Sequence, residues 1–101
     1  MTTHTIYRLG QLYRALTDAA RPHGANDAEY QNALHRPLTE ITKAINLARQ
    51  LHIITPELNN YCTSVLGDVS PEDIEAERSG TGLSLEDQGS FSLGYFKGPA
   101  L

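Results

Sequence analysis

The side chains best suited to chemistry here are four histidines, one cysteine and a group of carboxylates, and their spacing limits what they can do. His4, His23, His35 and His52 are scattered along the chain. None stands in an H-x₃-H or H-E-x-x-H pattern, and Cys62 has no Cys-x-x-Cys partner, so the spacings that gather a zinc ion are missing. Cys62 follows Tyr61 on the apolar side of a helical stretch, where a thiol is buried and inert. Glu72, Asp73, Glu75 and Glu77 read as one solvated acidic face, whereas paired catalytic carboxylates need a concave apolar setting that shifts their pKa values apart. Gly80-Thr-Gly82 lacks the preceding strand and the lysine of a phosphate loop. The chain does not read as an enzyme, and no metal or cofactor is expected. An enzyme would need a pocket gathering His35, His52 and Cys62.

The basic residues carry a more coherent signal. Arg36, Lys43 and Gln50 recur every seven residues, which places them near one stripe of a helix, and Arg14 and Arg21 share that spacing on another. Arg49 and Arg8 sit on the flanks. Such stripes can follow a phosphate backbone, with Asn46 and Gln50 adding neutral hydrogen bonds. Arg14, Arg21, Arg36, Lys43 and Arg49 are therefore the candidate nucleic-acid contacts. The competing reading is a solvated surface with local pairs such as Glu40 with Lys43. Tyr30 either stacks on a base or is buried under Pro37.

Net charge qualifies this. The formal value is −4, with six bases against five acids in residues 1–66 and two against seven in residues 67–101. A protein that binds nucleic acid strongly by itself is usually basic overall, so binding here must be weak or helped by neighbours. The asymmetry suggests that different faces meet different partners.

Those side chains must be positioned by helices. A chain of 101 residues makes a single domain, residues 1–101. No apolar run approaches the ~20 residues of a membrane span, and MTTHTIYRLGQ does not have the layout of a secretory signal. The lone Cys62 fits a reducing, cytoplasmic setting. Ile6, Leu9, Leu12/Tyr13, Leu16 and Ala19/Ala20 form one apolar stripe, predicting a helix over about 4–21 with Thr2, Thr3 or Thr5 as N-cap, stopped by Pro22 and Gly24. The capping-box spacing of Asn26 and Glu29 starts a short helix over about 27–35. Pro37 opens a longer one over about 37–52, burying Leu38, Ile41, Ala44/Ile45, Ala48 and Leu51. Thr55-Pro56-Glu57 starts a helix to about 66, and Ser70-Pro-Glu-Asp a short acidic one to about Arg78. Ser79-Gly-Thr-Gly82 is a flexible joint. With no strand-like alternation, the expectation is an all-α, compact four- to five-helix bundle.

The closing segment, LSLEDQGSFSLGYFKG, poses a conflict. Gly89 and Gly94 each cost about 1 kcal/mol in a helix, yet Leu85, Phe91 and Tyr95/Phe96 have helical spacing behind Ser84 as N-cap. Close approach of another helix at the two glycines, with burial of Phe91, Tyr95 and Phe96, would offset that cost.

Two stretches also carry a resemblance. Tyr7-Arg-Leu-Gly-Gln-Leu-Tyr13 resembles the YRLGRLF-type opening of the C-terminal domain of the large subunit in type I-C CRISPR Cascade complexes. Leu83-Ser-Leu-Glu-Asp-Gln-Gly-Ser-Phe-Ser-Leu-Gly-Tyr95 resembles the closing LSLEDQG-x-F-x-x-GYY pattern of that domain, which is also made separately as the small subunit. The two blocks cover about a fifth of the chain, in the same order and at its two ends, an extent that matches the separate product. The chain departs from the family's GYYHQR ending, having Gly94-Tyr-Phe-Lys-Gly, so its basic tip is reduced to Lys97. The resemblance implies a non-catalytic helical subunit lining the belly of an RNA-guided complex. It would stack with further copies of itself beside the large and backbone subunits, and touch crRNA only indirectly. It would help hold target DNA, chiefly the displaced single strand, in the R-loop. The alternative is a helical protein–protein adaptor or phage-encoded inhibitor that uses the acidic 68–77 face as a nucleic-acid mimic. On that reading the chain alone would not bind single-stranded DNA.

Overall fold

Thr2 settles where the first helix begins. Its side chain accepts a hydrogen bond from Thr5 N at 3.1 Å, starting α1, Thr3–Ala20. A computed structural model describes residues 1–24 and 30–99, and every regular element in them is helical. After α1 comes a 3₁₀ turn, Arg21–His23, which holds Pro22 and ends on Gly24 at φ 93°. Then follow α2, Tyr30–His35; α3, Pro37–Gln50; α4, Pro56–Leu66; α5, Pro71–Arg78; and α6, Leu85–Lys97. Among the described residues there are thus five helices of eight residues or more and the shorter α2. The expected capping box at Asn26–Glu29 lies outside the described residues.

The caps follow from residue type. Thr55 accepts from Leu58 N at 3.1 Å and starts α4. Ser70 and Asp73 form a reciprocal capping box on α5, and the backbone N–H of Ser70 holds the Asp73 carboxyl below its ordinary range. Ser84 accepts from Asp87 N at 3.2 Å and starts α6. Only α3 stops short of expectation. His52 adopts φ 56°, His52 N donates to Arg49 O and Ile53 N donates to Ala48 O, which is a Schellman ending with histidine in the position usually held by glycine.

At the centre, Ile6, Leu9, Leu12 and Leu16 of α1 are fully buried with Ile41, Val65 and Phe91. The closest approach is between α1 and α6, and it is reciprocal. A β-carbon on Gly10 would overlap the Phe91 carbonyl oxygen and stand 2.9 Å from Tyr95 N. One on Gly94 would overlap the Tyr7 carbonyl oxygen and stand 3.2 Å from Gln11 N. Each helix therefore seats its glycine on the other's backbone, and the helix propensity given up at Gly94 is offset by burial of Phe91 and Tyr95.

Two expectations for this segment fail. Gly89 has nothing within 4 Å, so it faces outward and takes no part in the approach to α1. Phe96 is 70% exposed, because it sits one position past Tyr95 and points away from the seam. Tyr30 packs on α6. Its ring lies 4.5 Å from Tyr95 and its hydroxyl is 2.8 Å from Ser92 Oγ, so it covers the side of α6.

Candidate nucleic-acid interface

The predicted basic residues divide according to what stands opposite each one. Arg14 belongs to the α1–α6 seam. Its Nε donates to both Asp18 carboxylate oxygens at 3.1 Å, its Nη1 donates to Tyr95 O at 3.1 Å, and its guanidinium lies 5.3 Å from the Tyr95 ring centre. Tyr95 O is one of the last carbonyls of α6, which have no partner within the helix. Gln11 does a similar service at Gly98 O, 3.1 Å away. Arg14 thus holds the end of α6, a role its spacing on α1 does not reveal. Arg21 pairs with the same Asp18 at 3.1 Å and is about half exposed. Arg8 joins α1 to α4, donating to Asp68 Oδ2 at 2.7 Å and to Ser64 Oγ at 2.8 Å.

Helix α3 presents a different picture. Leu38, Ile41 and Ala48 are buried against the core, while Thr42, Lys43, Asn46, Arg49 and Gln50 are exposed. At ~100° per residue, Asn46 and Gln50 lie on the outer face between Lys43 and Arg49. Arg36 stands exposed at the N-cap, and neither it nor Arg49 makes an ion pair among the described residues. Lys43 reaches Glu40 Oε1 at 3.1 Å, three residues away, with its own side chain 64% exposed. Glu40 itself is buried, so Lys43 also neutralises a buried carboxylate while its own ammonium stays within reach of an outside anion. From Arg36 to Arg49 the cations run over about 20 Å of helix, roughly six steps of a nucleic-acid strand at ~3.4 Å each.

What fixes this ridge comes from the acidic segment, and here the sequence reading needs correction. Glu77 is buried, not solvated. Its carboxylate accepts from Leu38 N at 3.0 Å, Thr39 N at 2.6 Å and Thr39 Oγ1 at 2.7 Å. It therefore caps α3 from a distance, satisfying N–H groups that Arg36, without a capping side-chain bond, leaves open. Asp68 is spent on Arg8, and Asp73 also accepts from the N-terminal ammonium at 3.1 Å. The acidic face is thereby reduced mainly to exposed Glu72 and Glu75.

By bringing α5 to the start of α3, Glu77 also adds a cation that spacing along one helix does not reveal. Arg78 and Lys43 line one open pocket of ≈ 440 Å³, with Leu38, Leu66, Val69 and Ile74 as its apolar part. Arg78 is exposed and makes no ion pair among the described residues. Only a contact between segments 35 or more residues apart could reveal it.

The other candidate groups stay apart. His35 ends α2 and His52 follows α3, so the length of α3, about 20 Å, separates them. Cys62 is buried, and burial pushes its thiol above the ordinary range, so it is a poor nucleophile. Among the described residues no three His, Cys, Asp or Glu side chains are grouped to hold a metal ion, and no helix is long and apolar enough to cross a membrane. Compared with known proteins, the chain matches no family model, no curated protein and no solved structure.

Proposed function

We propose that this chain is a non-catalytic, cytoplasmic small subunit of a CRISPR RNA-guided complex of the Cascade type. It steadies the R-loop through sequence-independent contacts to target DNA, chiefly the displaced strand. Arg36, Lys43 and Arg49 make the phosphate contacts, with Arg78 beside Lys43 and Arg21 at the margin. Its partners are the large subunit, the backbone subunits and further copies of itself, and crRNA is touched only indirectly. The observation that carries the reading is the seam. The two stretches that resemble the family, residues 7–13 and 83–95, are the two that interlock through Gly10 and Gly94. Tyr7, Gly10, Gly94 and Tyr95 are then residues that one packing arrangement requires together.

The energetics suit such a role. R-loop formation is a nearly balanced strand exchange, so a few weak phosphate contacts tip it, and the guide RNA reads the sequence. Several copies held along one complex add their contacts through effective concentration, which lets an acidic protein act on DNA. The adaptor reading loses ground, because Asp68, Asp73 and Glu77 are engaged inside the chain.

The test is a reconstituted complex carrying Arg36→Glu and Arg49→Glu, two exposed positions of the ridge. The R-loop should form more weakly while the variant keeps its helical content and melting temperature. Unchanged R-loop affinity at low salt would remove these residues from the interface.

A further inference from the structure

The outward face of α6 is apolar and largely exposed, although the Phe96 ring also meets those of Tyr30, 6.0 Å away, and Tyr95, 5.4 Å away. Leu85, Leu93 and Phe96 are 85%, 68% and 70% exposed, and Gly89 between them has nothing within 4 Å. At ~100° per residue these four lie within about 40° of one line, opposite the buried line of Phe91, Gly94 and Tyr95. Single apolar side chains in solvent are ordinary, but an aligned set with a glycine at its middle is a packing face.

We infer that this face pairs with α6 of a second copy, the two helices running antiparallel and crossing at Gly89. The spacing is self-complementary. Leu85 and Leu93 stand four residues before and four after Gly89. A two-fold axis at Gly89 therefore sets each Leu85 against the partner's Leu93. The glycine removes the side chain where the backbones come closest, as Gly10 and Gly94 do inside the chain.

Charge agrees with the antiparallel sense. Glu86 and Lys97 lie along the same edge of the stripe. The two-fold brings Glu86 within ~7.5 Å, measured along the helix, of the partner's Lys97, a span a lysine side chain covers. The helix dipoles also oppose one another favourably. A parallel pair would instead leave Glu86 about 16 Å along the helix from the partner's Lys97. An unrelated partner would have no reason to match a pattern symmetric about Gly89. The pairing concerns the free chain and does not rest on the R-loop reading.

One helix pair makes a small interface, so association belongs in the range of about 10 μM to 1 mM. Sedimentation of the full chain over that range should show a reversible monomer–dimer equilibrium. Leu93→Glu, at an exposed position, should leave helical content and melting temperature unchanged and raise the dissociation constant at least about tenfold. Geometry is tested by cross-linking under oxidised glutathione, with the wild-type chain and its buried Cys62 as the blank. A mixture of Leu85→Cys and Leu93→Cys chains should cross-link faster than either alone. A chain monomeric throughout, a dimer indifferent to Leu93→Glu, or Leu85→Cys cross-linking fastest to itself would each overturn the proposal.

Discussion

The seam between α1 and α6 and the outer face of α3 use the same residue type to opposite ends. On the seam, Arg14 is spent on Asp18 and on the Tyr95 carbonyl near the end of α6. On α3, Arg36 and Arg49 are exposed and make no ion pair among the described residues, Arg49 lying near enough to the Cys62 thiol to favour its charged form. Both sets are spaced by seven residues or flank such a stripe, so spacing alone cannot separate an arginine that holds the fold from one left to meet a ligand. The separation comes from what a distant segment brings opposite. Tyr95 O comes to Arg14, whereas no carboxylate among the described residues comes to Arg49.

That contrast can be broken most forcefully at the glycines. Gly94→Ala drives a methyl group into the Tyr7 carbonyl, where backbone on both sides must move, and it should cost about 3 kcal/mol or more in urea unfolding. Gly89→Ala, in the same helix with open space around it, should instead stabilise the chain by about 1 kcal/mol. Equal effects at the two positions would mean that the seam is not where α6 is held.

A smaller effect is expected where the ridge is anchored. Glu77→Ala removes the acceptor for two backbone N–H groups and the Thr39 hydroxyl, and should cost about 2–3 kcal/mol. Hydrogen exchange should then quicken at Leu38 and Thr39 before it does at the α1–α6 seam.

Smallest is the direct comparison of two arginines. Arg14→Gln should lower stability by about 1–2 kcal/mol, whereas Arg49→Gln should stay within about 0.5 kcal/mol of the parent in the same melt.

Much of the fold was legible because its grammar is local. Thr55-Pro56, Ser70-Pro71 and Ser84 each announced a helix start through side chains within three residues, and α4 and α5 began and ended where those signals put them. The stripe of α1 predicted its own burial. What escaped was long-range or depended on backbone conformation. Glu77 sits among acids that are exposed, and only its contact with Leu38 and Thr39 distinguishes it. His52 ends α3 in a left-handed conformation that its residue type does not advertise. Phe96 and Gly89 have the composition of core positions, but a helix with apolar residues on two faces does not declare which face meets the core. For the candidate site, the exposed cations of α3 were readable from spacing. The engagement of Arg14 and the presence of Arg78 were not.

The most direct measurement is the salt dependence of single-stranded DNA binding by the full chain, begun near ~20 mM salt where weak phosphate contacts are visible. Replacing Arg36, Lys43 and Arg49 together by Gln should weaken binding and lower the slope of log K against log salt by about 2, at ~0.7 for each phosphate no longer neutralised. Arg14→Gln, in conditions where it remains folded, should leave that slope unchanged. A slope indifferent to the triple replacement, or one that falls with Arg14→Gln alone, would contradict the account.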